Sequence, residues 1–436
     1  MALQDAAARR LSPGRGGVLA SPAGTMPAPR FWLHCLGVTL SLVAGLAFMA
    51  MRAEAGDATG VVLAASDEAS KIPSLPNGGR ILRVGPGRYY RLPSQAAAAA
   101  RDGDRIEIDA GVYSGDVAIW RANDLVIRGV GGRPELRAAG RSAQGKAIWV
   151  IKGANTTVEN IAFTGARVSD GNGAGIRAEG AGLTVRHALF RDNEDGILAG
   201  RNPNSDILVE YSEFDRNGGG RGQTHNIYVG AVRSFTFRFN YSHHARIGHQ
   251  VKSRARRNFI LYNRLMDEKT GNSSYAIDLS TGGVAYIIGN LIQQGPETDN
   301  WALVSFAAEG MSAGPQELYV VNNTFVNERH SGLFVNNRST VSAALLNNLF
   351  VGKGRMLKGP GRAAGNVVTR RPRFVDPRGY DYRLRPGSPA IDKGVEPPTV
   401  TDFPLAPVWQ YRHPTGGEKR PRRGALDAGA YEFTGP

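Results

Sequence analysis

The sequence predicts an all-β solenoid: a single-stranded parallel β-helix of about ten coils with a short N-terminal capping helix. Three observations carry this reading. A short apolar strand recurs every 21 to 30 residues, a second strand in each coil ends on a polar corner residue, and no helical period interrupts them.

In the first register the copies read Ala147-Ile148-Trp149-Val150, Gly175-Ile176-Arg177-Ala178, Gly196-Ile197-Leu198-Ala199, Asn226-Ile227-Tyr228-Val229 and Gln250-Val251-Lys252-Ser253. They continue as Ala276-Ile277-Asp278-Leu279, Ala302-Leu303-Val304-Ser305, Gly332-Leu333-Phe334-Val335 and Met356-Leu357-Lys358-Gly359. The second residue is always Ile, Val or Leu, and the third varies and is often polar. The steps are 28, 21, 30, 24, 26, 26, 30 and 24 residues. One alternating strand per step of this length indicates stacked coils, each burying its apolar face against its neighbours.

In the second register the strands read Thr157-Val158-Glu159-Asn160, Thr184-Val185-Arg186-His187, Leu208-Val209-Glu210-Tyr211 and Phe237-Arg238-Phe239-Asn240. Ile260-Leu261-Tyr262-Asn263, Ile287-Ile288-Gly289-Asn290, Val320-Val321-Asn322-Asn323 and Leu345-Leu346-Asn347-Asn348 follow. Asn in most of the final column predicts a stacked ladder at a coil corner. Asn tolerates left-handed backbone, and its amide can bond along the stack. These Asn residues are read as structural. Leucine-rich repeats need a tighter Leu pattern, and propeller blades need about 40 residues each.

On these strands and corners the chain resembles the right-handed parallel β-helix superfamily, typified by pectate-lyase-like proteins, over residues 80–395. The resemblance implies right-handed winding. Lyases, hydrolases, epimerases and binding modules share this fold, so it does not choose among activities. The ends fit the same picture. Pro93-Ser94-Gln95-Ala96, Asp102 to Ile108 and Gly111-Val112-Tyr113 resemble the opening of secreted β-helices, with an Ala-rich helix at 95–101 covering the end of the stack. Phe374-Val375-Asp376-Pro377, Asp381-Tyr382-Arg383-Leu384 and Pro386 to Asp392 resemble the closing segment of β-helix polysaccharide lyases, and Leu426 to Glu432 resembles its final strand.

The expected organisation is an extension and leader at 1–55, a linker at 56–79, the β-helix at 80–395, and a C-terminal loop and closing strand at 396–436. Within the last segment, Pro- and Arg-rich residues 396–424 are expected to form a loose loop. Residues 31–51 are the only long apolar run. Arg9, Arg10, Arg15 and Arg30 precede it, and Ala53-Glu54-Ala55 follows as a small-x-small cleavage site. This reads as an export signal, giving a periplasmic or secreted protein. Alternatively the run stays uncleaved and anchors the chain to the inner membrane. Met26 is a second candidate start. The one Cys, Cys35, lies in the apolar run, so a chain processed at residue 56 has no thiol chemistry and no disulfide.

The formal charge is +15. Residues 1–55 hold five Arg and two acidic residues, leaving +12 beyond them. Such a charge on an exported protein points to an acidic polysaccharide or an anionic envelope surface. Nucleic acid is disfavoured, because no basic stripe is interleaved with stacking aromatics. A monomer is expected.

Strands alternate faces, so with Ile227, Val251 and Ile277 inward, Tyr228, Lys252 and Asp278 point outward. Coils stack about 4.8 Å apart, which makes these three a column. Arg254 and Ser280 extend the patch, and Asn226 and Gln250 flank it. Leu198 and Val304 are expected to end the column, which confines the polar cluster to three coils. The stretch is also His-rich, with His225, His243, His244 and His249 among eight in the chain. Ile247 to Arg256 and Ser274 to Leu279 resemble a site-bearing stretch of exported β-helix proteins with no assigned chemistry.

These types suit β-elimination on a uronic acid polymer. A base takes the proton beside the sugar carboxylate, a cation neutralises that carboxylate, and an acid protonates the leaving oxygen. Lys252 or His249 would be the base, Arg254 the carboxylate clamp and Tyr228 the proton donor. Asn226, Gln250, Asp278, His225 and Arg256 would bind substrate. A Lys base conflicts with the neighbouring Asp278, which favours its charged form. The bland alternative is a Lys252–Asp278 cross-strand pair on a solvated face. His243 falls where other coils carry Phe163, Phe190, Phe214 and Met266, and reads as a packed residue.

The leading reading is therefore an exported lyase acting on an acidic polysaccharide. A non-catalytic glycan-binding or envelope scaffold stands as the alternative. A glycoside hydrolase ranks third, because Asp278 is the only acid in the outward column and nothing pairs it with Glu268, Asp299 or Glu309. No cofactor is expected, with calcium on loop carboxylates left open. A metal cluster is disfavoured because His243 and His244, adjacent on a strand, would face opposite ways. An enzyme should show a groove walled by loops 215–224, 267–274 and 294–300.

Overall fold

Short strands with one apolar face can be satisfied by parallel pairing with the equivalent strand one coil away, so that inward residues form continuous columns. In a computed structural model that describes residues 78–400 and 403–435, the strands close into a parallel β-solenoid of about ten turns. The apolar run 31–51, the cleavage site, Met26 and Cys35 lie outside the described residues. Among the described residues no helix is long and apolar enough to cross a membrane.

Each coil contributes to three parallel sheets. The first has 12 strands, from Ile81–Val84 to Gly361–Ala364. The second has 10, from Ala118–Trp120 to Arg355–Lys358, and the third has 11, from Val112–Ser114 to Val367–Thr369. Inside the tube, Ile197, Ile227, Val251, Ile277 and Val304 are fully buried. Phe163, Phe190 and Phe214 stack there at 5.1 and 4.9 Å, close to the coil rise.

The first register holds from Ile176 to Ile277 and slips at both ends. Ile176 pairs with Trp149 rather than Ile148, and Ile277 pairs with Val304 rather than Leu303. Strands Ala147–Ile151 and Ala302–Phe306 are buried at every position, so no polar alternate marks their outward face. Consequently Asp278 neighbours Ser305, not Val304.

The Asn ladder is present. Asn240, Asn263, Asn290, Asn323 and Asn348 follow one another at a buried corner. From Asn263 onward each side-chain Oδ1 accepts the backbone N–H and the side-chain N–H of the Asn one coil before, as in Asn263 to Asn290 at 2.9 and 3.0 Å, while Asn240 Oδ1 accepts the Ser212 N–H. The left-handed geometry falls one residue earlier, at Asn160, His187, Tyr211, Phe239, Tyr262, Asn322 and Asn347. The sequence column therefore merged two adjacent positions. Its early members belong to the left-handed corner, where His187, Tyr211, Phe239 and Tyr262 stack at 5.2, 5.1 and 5.6 Å.

The one α-helix among the described residues is Pro93–Ala99. It starts two residues earlier than expected, with Pro93 in its first turn, where a fixed φ and missing N–H do no harm. It packs on strands Ile81–Val84 and Ala118–Trp120.

Residues 396–400 and 403–424 are not a loose loop. Phe403–Pro404 pairs back on Thr399–Val400, and Trp409–Arg412 pairs with Gly416–Lys419. Leu405 and Phe403 cover Tyr286 and Tyr262 on the outside of the first sheet. Tyr411, Ala428, Ala430 and Tyr431 join Met266, Leu291 and Leu349 on the outside of the third. Leu426 to Glu432 adopts no strand. It is held instead by the buried pair Arg420–Glu432, 2.8 Å, and by Ala430 N–H donating to Thr324 Oγ1 at 2.9 Å. The outward side of the second sheet forms its own cluster of Ala147, Val150, Ala174 and Leu198, with Tyr228 at its edge.

Candidate functional site

Strands Ile227–Val229, Val251–Ser253 and Ile277–Leu279 carry Tyr228, Lys252 and Asp278 in one outward column, continued by Leu198 on strand Asp195–Ala199 and by Ser305 on strand Ala302–Phe306. Lys252 Nζ lies 3.2 Å from Asp278 Oδ2 and 3.1 Å from Glu309 Oε1. Glu309 comes from the turn after strand Ala302–Phe306 and also pairs with Arg254. Arg254 contacts the Tyr228 hydroxyl, and its guanidinium sits 5.2 Å from the Tyr228 ring centre. A guanidinium has no acceptor, so the phenol oxygen accepts from it and keeps its own O–H free. Burial pushes the Glu309 carboxyl up, but hydrogen bonds from Arg254 and Lys252 outweigh it and hold the group below the usual range.

Lys252 and Asp278 are not on a solvated face: they are 9% and 3% exposed. Asp278 Oδ2 also accepts from Ser280 Oγ at 2.6 Å, and its Oδ1 has no hydrogen-bond partner.

His225 and His249 lie beside this column as a stacked pair, 4.6 Å between centres, with Tyr275 at 5.1 Å from His249. His225 Nδ1 accepts the backbone N–H of His249 at 3.0 Å, and His249 Nδ1 accepts that of Tyr275 at 3.1 Å. Each neutral ring therefore carries its proton on Nε2, and His249 directs that nitrogen to Asp278 Oδ2 at 3.5 Å. Burial pushes His249 down to about 4, with Asp278 pulling it up and Lys252 pushing it further down. Burial pushes His225 well below the ordinary imidazole value, with His249 and Lys252 adding to the effect.

Three expected substrate ligands do not join this group. Asn226 and Gln250 are buried, at 0% and 1% exposure, in an interior amide ladder. Asn193 Nδ2 donates to Asn217, Asn217 to Asn226, Asn226 to Gln250 at 2.7 Å, and Gln250 to Asp267 at 2.9 Å. They precede the strands, where the chain turns, and alternation does not extend into a turn. Arg256 is exposed and lines a separate cavity of about 580 Å³ with Arg233, Arg257 and Phe403.

The cleft is also displaced. A cavity of about 430 Å³ opens beside Tyr228 and Arg254 toward earlier coils, lined by Arg177, Asp195, Arg201 and Gln223. Of the expected wall loops only 215–224 reaches it, through Gln223. Loop 267–274 folds inward, with Asp267 accepting from Ser273 Oγ and from Thr298 Oγ1, both at 2.7 Å. Burial pushes the Asp195 carboxyl well above its usual range, against a hydrogen bond from the His225 backbone. Arg177 sits two coils before Tyr228 in the same outward column, so the repeat itself could have found it. Glu309, on an irregular turn, left no such signal.

His243 is not in the Phe column. Ser242 pairs with Phe214, whereas His243 pairs with Asp215 and Met266, at an outward position.

A family model described as right handed beta helix region matches residues 111–292. The match and the parallel β-solenoid agree in fold. The solved structure of pectate lyase Pel9A is similar, at TM-score 0.58 and 13% identity over 83% of this chain and 99% of that one. The Azotobacter vinelandii mannuronan C-5 epimerase AlgE6 A-module matches at TM-score 0.37 and 13% identity, over 63% of this chain and 93% of that one. The alginate lyase from Paenibacillus sp. str. FPU-7 matches at TM-score 0.34 and 14% identity, over 63% and 95%. A search of curated protein sequences finds no significant match.

Proposed function

We propose that this chain is an exported carbohydrate-active protein, a lyase that cleaves a uronate-containing polysaccharide by β-elimination. One observation carries the reading. On the outward column, Lys252 and Arg254 together hold a carboxylate, that of Glu309, beside a phenol whose O–H is free. A uronate carboxylate taking the place of Glu309 would be held by the same two side chains, with the Arg254 guanidinium neutralising it, which is what carbanion formation next to it requires. Arg177 and Arg201 in the adjoining cavity extend the positive lining for neighbouring acidic sugars. The similarity to pectate lyase Pel9A agrees in fold.

In this reaction Lys252 takes the proton at C5 as the neutral amine, after Glu309 has left and the lysine ammonium has given a proton to solvent. The electron pair forms the C4–C5 double bond, the C4–O bond breaks, and Tyr228 gives its proton to the leaving oxygen. His249 is a positioning residue, because its Nε2 proton faces Asp278 and its Nδ1 lone pair is taken by a backbone amide.

A second reading, binding of an acidic glycan without cleavage, is favoured by the engaged state of the bases. Both imidazole Nδ1 atoms accept backbone N–H groups, and Lys252 is ion-paired to two carboxylates. The hydrolase reading gains little. Asp278 and Glu309 are brought together, but as ion-pair partners of one lysine rather than as an acid and a base.

The deciding experiment incubates the purified protein with pectate, alginate and other uronate polymers and follows the ultraviolet absorbance of the unsaturated product. A rise that disappears in Tyr228→Phe and Lys252→Met supports the lyase. Binding to one polymer with no rise on any supports the glycan-binding reading. Neither binding nor cleavage overturns both.

A further inference from the structure

We propose that Asp215, His243 and His244 form a site for a divalent transition-metal ion of the zinc class, on the third sheet and separate from the Lys252 column. His243 ends strand Tyr241–His243. His244 follows it with φ of 52°, in the left-handed region that side chains other than Gly seldom adopt. That turn defeats the alternation expected of neighbours on a strand and brings both rings to the same side. His243 Nδ1 and His244 Nδ1 lie 2.8 Å apart. Asp215, one coil earlier in register with His243, places Oδ1 at 3.4 Å from His243 Nδ1.

Two further observations point to a ligand. Asp215 is 2% exposed, and its Oδ1 has no hydrogen-bond partner although its other oxygen takes Arg191 and Arg216. A buried carboxylate oxygen left bare and aimed at an imidazole nitrogen is costly unless something cationic completes it. Secondly, His243 uses its other nitrogen, Nε2, on Glu213 Oε1 at 3.2 Å. A carboxylate behind a ring is the arrangement that fixes a metal-binding imidazole with its opposite nitrogen free for the ion.

The donor set is two imidazole nitrogens and one carboxylate oxygen, all within 4.8 Å of one another. This mixture suits zinc and its neighbours rather than calcium, which prefers oxygen ligands throughout. Bonds of about 2.0–2.2 Å in tetrahedral array separate ligands by roughly 3.3 Å, so the Asp215–His243 spacing fits and the two ring nitrogens must open by about half an ångström. His244 is half-exposed, which leaves the fourth position facing solvent. Three protein ligands with one open position is the pattern of sites that bind a water or a substrate atom.

The test is metal binding by the full chain, stripped with a chelator and titrated with Zn²⁺ against a chromophoric competitor. One equivalent is expected, lost in His244→Ala and in Asp215→Asn and weakened about 10- to 100-fold in Glu213→Gln. His187→Ala, outside the cluster, should bind as wild type. Circular dichroism checks that each variant folds. Should the variants unfold, the visible spectrum of the wild-type protein with Co²⁺ decides: intense tetrahedral bands with nitrogen and oxygen donors support the site. Absence of a stoichiometric equivalent in the wild type, or undiminished binding in folded His244→Ala, overturns it.

Discussion

Glu309 Oε1 stands 3.1 Å from Lys252 Nζ, and its second oxygen pairs with Arg254, so a carboxylate of the chain itself fills the anion position on the outward column. Glu309 is 43% exposed on its side chain and reaches the position from a turn, whereas Lys252 is held by its strand. An acidic sugar must displace it. Glu309→Gln removes the competing charge and leaves both cations in place. Affinity for a short uronate oligosaccharide should rise about tenfold, or about 1.4 kcal/mol. Calorimetric titration of wild type and variant measures this, and equal affinities would mean that the sugar does not bind there.

The Lys252–Asp278 pair should behave as a buried one. Removing one partner from a buried pair leaves an uncompensated charge and costs roughly 3–5 kcal/mol. Lys252→Met is expected to show a loss of this order in denaturant unfolding, with most of it regained in the double variant Lys252→Met/Asp278→Leu. Strict additivity of the two single changes would show that the pair is not coupled.

The repeat was readable because one inward position in the coils from Ile176 to Leu357 carries only Ile, Val or Leu, and that constraint survives variable loops. Ile176, Ile197, Ile227, Val251 and Ile277 stand in register as their spacing implied, and so do Tyr228, Lys252 and Asp278 opposite them. Legibility failed where the alternation of apolar and polar residues stops. Strand Ala302–Phe306 is buried throughout, so its phase was ambiguous by one residue. Asn226 and Gln250 lie before their strands, where turn geometry sends their amides inward to the ladder. His244 turns through a left-handed residue, which joins two rings that period-two reasoning places apart. Glu309 reaches Lys252 across 57 residues from an irregular turn, a contact no local pattern encodes.

The Asn corner should carry measurable stability. Asn290 Oδ1 accepts from Asn263 N–H and Nδ2, and its own Nδ2 donates to Ile260 O at 2.8 Å and to Asn323 Oδ1 at 2.9 Å. Asn290→Ala strands several buried donors and acceptors, each costing about 1–3 kcal/mol. A loss of at least about 3 kcal/mol is expected in urea unfolding, with Asn204→Ala, on an exposed segment, within about 0.5 kcal/mol of wild type. A small effect at Asn290 would mean that water replaces the missing amide.

His249 sets a pH dependence whose sign follows from its burial. Its pKa falls to about 4 in the fold, against about 6.5 for an unfolded imidazole. Between these values the unfolded chain binds the extra proton and the folded one does not. The contribution of a neutral, buried His249 is therefore fully present above pH about 6.5 and is lost progressively as pH falls toward about 4. The depression corresponds to up to about 3 kcal/mol at this site. Other groups titrate over the same range, including His225, whose pKa is lowered in the same direction. The useful quantity is therefore the difference between wild type and His249→Gln, which keeps an acceptor for the Tyr275 N–H. That difference should shift by this order in favour of the variant between pH 7 and pH 4, read from urea midpoints at each pH. A difference independent of pH would mean that the His249 pKa is the same in the folded and unfolded states, so that burial does not depress it. A shift of the opposite sign would mean that His249 already carries its proton in the folded protein at pH 7, as a charged donor to Asp278, and the Lys252 column would then hold one more positive charge for an acidic sugar.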